Sequence, residues 1–133
     1  MPDLRLHHVG CAVASIPDAV EAYRPIARNV GAVIPIAAQG VAVCFVEIAP
    51  GAHVELVQPT EGTSPVGQLL KKRISYYHLG FLTADFDRTV EELTAAGHQI
   101  LASFRSEAFG MRRCAFLASP VAHLIEVIEE PAG

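Results

Sequence analysis

Hydrophobic and polar positions along the chain switch between a period of two and a helical period, and the switches mark out the elements. Residues 4–14, "LRLHHVGCAVA", place small or apolar side chains on both faces and predict a strand. "SIPD" then reads as a helix start, with Ser15 as N-cap, Pro17 in the first turn and Asp18 near the positive end of the dipole. Ala19, Val20, Tyr23, Ile26, Ala27 and Val30 follow at helical spacing, but Pro25 predicts a kink or an end near Arg24. Strands are expected near 32–36, 40–48 and 52–58, separated by the turn sequences "AAQG" and "APGAH". A strand at 74–84 follows, then a helix from about Asp85 with Phe86, Val90 and Leu93 on one side, closing at Gly97. Further strands are expected near 98–103, 112–118 and 122–129. Between the two runs, "QPTEGTSPVGQLLKKR" reads as a linker with a short helix at about 65–72.

This order of elements occurs twice because the sequence itself repeats. "HVGCAVASIPDAVEAY" from His8 aligns without a gap on "HLGFLTADFDRTVEEL" from His78, at an offset of 70. "FVEIAPGAHVELV" from Phe45 resembles "FLASPVAHLIEVI" from Phe116, which sets Glu55 against Glu126 at an offset of 71. Two copies are too few for a solenoid, so a pseudo-symmetric pair within one domain over 1–133 is expected. Module one covers 4–58, the linker 59–73 and module two 74–129, each a strand, a helix and three strands.

Strand alternation then selects side chains. His8 shares a face with Gly10 and Ala12, and His78 with Gly80 and Leu82. Glu55 lies with His53 and Val57, and Glu126 with Leu124 and Ile128. Each copy therefore puts one histidine early on its first strand and one glutamate on its last. A carboxylate in a run such as "HLIEVI" is costly to bury unless it is paired or metal-bound. Two imidazoles and two carboxylates would converge if the copies face each other, and they suit one divalent ion such as Co, Mn, Zn, Ni or Fe. His7 reads as a neighbour on the outer face, His98 as a loop residue, and His53 and His123 as flanking turns.

Composition narrows the function classes. Apolar residues make up 51% of the 133 and the formal net charge is −4, which fits a globular core and argues against nucleic-acid or anionic-membrane partners. No apolar run is long enough to span a bilayer, and "MPDLRLHH" lacks the form of a secretion signal. Cys11, Cys44 and Cys114 lie in apolar strands without a CxxC pair and read as core residues of a cytoplasmic protein. The basic run Lys71-Lys72-Arg73 and the pair Arg112-Arg113 are solvated faces or contacts for phosphates.

The chain resembles the vicinal oxygen chelate (glyoxalase/bleomycin resistance/dioxygenase) superfamily over nearly its whole length, most closely the methylmalonyl-CoA epimerase branch. The segments that carry the likeness are "LHHVGCAV", "GVAVCFVEI", "HVELVQPTEGTSPVGQLLKKR", "YYHLGFLTADFDRTVEELTAAG" and "AFLASPVAHLIEVIE". The resemblance implies an α+β fold of two paired βαβββ modules forming a cupped mixed sheet around a metal site. It implies one divalent metal ion on His8, Glu55, His78 and Glu126, a small-molecule substrate such as a CoA thioester, and a homodimer. The implied activity is metal-dependent proton transfer next to a carbonyl through an enediolate, as in an epimerase or isomerase, with Glu126 as ligand and catalytic base. The chain differs from related epimerases in carrying Ala38 where they have a second glutamate base, so Glu47 or Glu107 are alternative bases. It also has Phe109-Gly110 and the shorter "ASPVAH" around the penultimate strand. A glyoxalase-type lyase acting on a thiol hemithioacetal and a non-catalytic, drug-sequestering protein of the same fold are the alternatives. An iron ring-cleaving dioxygenase is disfavoured by the fourth ligand, Glu55.

Overall fold

The computed structural model describes residues 2–131 and contains nine strands and three α-helices. Close packing divides these residues into two compact units. One runs from His8 to Tyr77; the other combines the residues up to His7 with those from His78 onward.

The N-terminal unit is built on β1 (Arg5–Ala12) from His8 onward, α1 (Ile16–Tyr23), β2 (Asn29–Val30), β3 (Ile34–Ile36), β4 (Val41–Ala49), β5 (Ala52–Pro59) and α2 (Pro65–Lys71). The Ser15 hydroxyl accepts the Asp18 N–H at 3.2 Å, which satisfies one of the donors that a helix start leaves open. Pro25 ends the regular helix: α1 stops at Tyr23 and a single 3-10 turn, Arg24–Ile26, follows. Val30, which the helical spacing would have included, pairs instead with Val46 on β4. β4 is flanked by β5 and by the short strands β2 and β3, and β5 pairs in parallel with β1. Beneath this sheet, Ile16 and Val20 of α1 pack with Cys11, Cys44, Val46, Val54 and Leu56. Gln58 Oε1 accepts the Ile16 N–H at 2.8 Å and ties the end of β5 to the head of α1.

The C-terminal unit repeats the plan with β6 (Tyr76–Thr83) from His78 onward, α3 (Phe86–Ala95), β7 (Gln99–Ser106), β8 (Arg112–Ala118) and β9 (Leu124–Glu129), in the order β6–β9–β8–β7. β6 and β9 are parallel; β9, β8 and β7 are antiparallel to their neighbours. Asp85 caps α3 through the Arg88 N–H at 3.2 Å. The helix closes at Gly97 (φ +97°), with the His98 N–H on Leu93 O and the Gly97 N–H on Thr94 O, both at 3.0 Å. This is the paired closure that a left-handed residue makes possible. It also accounts for His98, whose ring Nδ1 lies 3.2 Å from Leu93 O. Phe86 and Leu93 of α3 pack on Ala115, Leu117 and Val127. The buried hydroxyls of Thr83 and Thr89 meet at 2.7 Å and bind the end of β6 to the helix.

All three cysteines are buried thiols outside any disulfide, and burial pushes those of Cys11 and Cys44 up from their ordinary range. No helix among the described residues is long and apolar enough to cross a membrane.

Candidate metal centre

In each unit the first strand lies beside the last, parallel to it, and this pairing brings a histidine to a glutamate. In the N-terminal unit His8 stands opposite His53, and Gly10 opposite Glu55. In the C-terminal unit His78 stands opposite Leu124, and Gly80 opposite Glu126. Each glutamate therefore sits two residues further along its strand than the partner of its histidine, on the same face. The imidazole reaches it past a glycine, which presents no side chain. His8 Nε2 lies 3.5 Å from Glu55 Oε1, and His78 Nε2 lies 3.4 Å from Glu126 Oε1. All four residues are buried, between 1% and 5% exposed.

The third member of each row comes from the strand beyond. Phe45 on β4 is directly opposite Glu55, and Phe116 on β8 is directly opposite Glu126. Each phenyl ring meets its unit's imidazole edge-on, Phe45 to His8 at 5.5 Å and 64°, Phe116 to His78 at 5.3 Å and 87°. The row Phe–Glu–Gly with a histidine two residues from the glycine is thus the same in both units. The repeat in the sequence carries all four, with Phe45 aligned on Phe116; that each phenylalanine faces its glutamate shows only when the antiparallel register is known.

The donor set is that of a borderline divalent cation: two imidazoles and two carboxylates, in water-poor surroundings where an uncompensated carboxylate is costly. These four side chains could hold a metal ion, and their chemistry and burial fit one. Other sequence candidates sort differently. His53 is half-buried with its ring edge 6.2 Å from Phe45. His7 meets Phe109 edge-on at 5.4 Å. Ala38 is exposed on the 3-10 turn Ala37–Gln39 that Gly40 closes. Glu47 accepts the Gly51 N–H at 3.4 Å and faces Arg28 at 4.0 Å. Glu107 is exposed on the turn Glu107–Phe109.

Arg113 is engaged within its unit: it grips Asp87 at 2.8 Å and Glu129 at 2.8 Å, with its guanidinium 4.7 Å from the Phe86 ring centre. The hydrogen bonds from Arg113 hold the Glu129 carboxyl below its usual range. Arg112 donates to Phe109 O at 2.6 Å.

Residues 7–116 match the family model described as Glyoxalase/Bleomycin resistance protein/Dioxygenase superfamily. Among solved structures, the chain is similar to a hypothetical protein from Bacillus halodurans C-125, with a TM-score of 0.86 and 24% identity over 98% of this chain and 97% of that one. It is similar to methylmalonyl-CoA epimerase from Mycobacterium tuberculosis, with a TM-score of 0.83 and 24% identity over 96% and 88%. A Streptomyces coelicolor methylmalonyl-CoA epimerase variant in complex with 2-nitronate-propionyl-CoA gives a TM-score of 0.81 and 27% identity over 96% and 98%. No curated protein matches the chain by sequence. The likenesses establish the glyoxalase-like α+β fold.

Proposed function

The chain belongs to the glyoxalase/bleomycin resistance protein/dioxygenase superfamily, and from that premise we propose that it moves a proton at the carbon next to a carbonyl, with one divalent cation on His8, Glu55, His78 and Glu126. The observation that carries this reading is the duplicated, buried imidazole–carboxylate pair. Structures that hold one such pair for stability alone are poor bargains, since buried ion pairs gain little over apolar packing. Two copies of the same pair make a shared ligand the better account.

A bound divalent ion would supply Lewis acidity toward the carbonyl oxygen and the charge that develops on it. The protein's own residues do the rest. His8, His78 and Glu55 fix the ion's position through side chains locked in strands. Glu126 takes the proton from the carbon and returns it, a role worth about a hundred- to ten-thousand-fold in rate. The substrate class is an acyl-CoA thioester with an acidic C–H between two carbonyl groups, methylmalonyl-CoA or a relative. The 27%-identical epimerase structure with its CoA ligand supports that class.

A second reading, a binding protein of the same fold, is favoured by one observation: the turn at Ala38 carries no base, and Glu47 is engaged at the β4–β5 turn. One experiment separates the two. Protein loaded with cobalt is incubated with methylmalonyl-CoA in heavy water. Deuterium entering at the α-carbon, and its loss in Glu126→Gln, supports proton transfer. A loaded protein that exchanges neither this thioester nor a glutathione hemithioacetal is a binder; exchange of the hemithioacetal alone makes it a glyoxalase-type lyase.

A further inference from the structure

Resting on the reading of His8 and His78 as metal ligands, we infer that Phe45 and Phe116 are positioning residues that hold the two ligand imidazoles at the angle the cation requires. An imidazole on a strand has two soft torsions, and a ligand ring that swings loses the aim of its nitrogen. The carboxylate lies against one edge of the ring. A surface on the ring's side opposes its rotation, and in both units the same register position supplies one.

The placement is not what core packing alone would produce. The hydrophobic clusters beneath the sheets gather Leu56, Val46 and Cys44 in one unit and Leu117, Ala115 and Val127 in the other. Phe45 and Phe116 alternate with those residues along β4 and β8 and belong to the opposite face, with the histidine and glutamate. Neither phenylalanine is among the fully buried core residues. Each is itself backed by a further ring. Phe104 on β7 stacks on Phe116 at 5.5 Å and 28°, and His53 on β5 meets Phe45 at 6.2 Å and 83°. Two three-ring series result, His8–Phe45–His53 and His78–Phe116–Phe104. Edge-to-face aromatic pairs stabilise their geometry beyond the area they bury, which biases a ring's orientation.

The test reads cobalt binding and not turnover. Apo protein is titrated with Co(II), and the visible absorption of the bound ion gives both affinity and ligand geometry. Phe45→Leu and Phe116→Leu are expected to weaken binding about tenfold or more, the loss typical of residues that orient metal ligands, and to shift the absorption bands. Phe45→Tyr and Phe116→Tyr, which keep the ring, should restore both. Where a leucine variant does not fold, Phe→Met at the same position, whose unbranched flexible side chain fills irregular gaps, takes its place. Folded leucine or methionine variants with wild-type affinity and bands overturn the inference and leave the metal reading standing. Wild-type protein that takes up no cobalt overturns both.

Discussion

Gly80 stands directly opposite Glu126 in the parallel pairing of β6 and β9, and both are buried. The imidazole of His78 approaches the carboxylate on this side of the sheet. A branched side chain at Gly80 would stand in that approach. Gly80→Val, and Gly10→Val in the other unit, should therefore weaken cobalt binding about tenfold or more, although valine suits a strand better than glycine. Isothermal titration with Co(II) measures it; unchanged affinity would show that the glycines serve the backbone and not the imidazoles.

Metal should also stabilise the fold. Binding to the native state alone contributes about 2.7 kcal/mol at a hundredfold excess over Kd, or roughly a 10 °C rise in Tm for a chain of this size. Chelator should reverse the rise, and Glu55→Gln or Glu126→Gln should reduce it. Scanning calorimetry with and without Co(II) reads all three.

The clamp of Arg113 on Glu129 gives a pH signature. Because Glu129 is held below its usual range, its contribution is present above the ordinary carboxylate pKa and is lost as pH falls through the depressed value. Arg113→Met should flatten that part of the acid limb of a Tm-versus-pH curve. A variant with an acid limb parallel to wild type would mean that the ion pair does not couple to folding.

At the alkaline end, Tyr23 behaves oppositely. Burial, followed by its 2.7 Å hydroxyl contact with Tyr76, pushes its phenol well above the usual range. A raised acid favours the protonated form in the fold, so stability is present below the ordinary tyrosine pKa of about 10 and declines as pH rises beyond it. Ultraviolet titration should find one tyrosine resistant until the protein unfolds. Tyr23→Phe should remove that resistant signal and soften the loss of stability.

Much of this architecture is legible in the sequence because duplication supplies an internal control. The strands at 41–49, 52–59, 112–118 and 124–129 and the helix ends at Ser15, Asp85 and Gly97 follow from alternation, capping and turn chemistry. The His–Glu pairs are readable because each residue recurs at a matched place. β2 was not readable: Val30 fits the helical spacing, and only Pro25 together with pairing to Val46 decides for strand. Phe45 and Phe116 recur in the repeat too, but what they face was not readable, since a Phe in an apolar strand carries no sign of its neighbour until the register is known. Arg113 escaped for a like reason, because Asp87 and Glu129 lie far from it in the chain.

The ion pair between Arg5 and Glu130 has a practical bearing. It fastens the opening of β1 to the residue just past β9, so the two ends of the described chain meet within one unit. Domains whose ends meet this way tolerate being rejoined and reopened elsewhere. A short glycine-serine bridge between the ends, with a new break at the exposed Gly51 turn, would reorder the connectivity and leave every strand pair available. In such a permutant Glu55 would precede His8 along the chain, yet the pairing that joins them would have no reason to change.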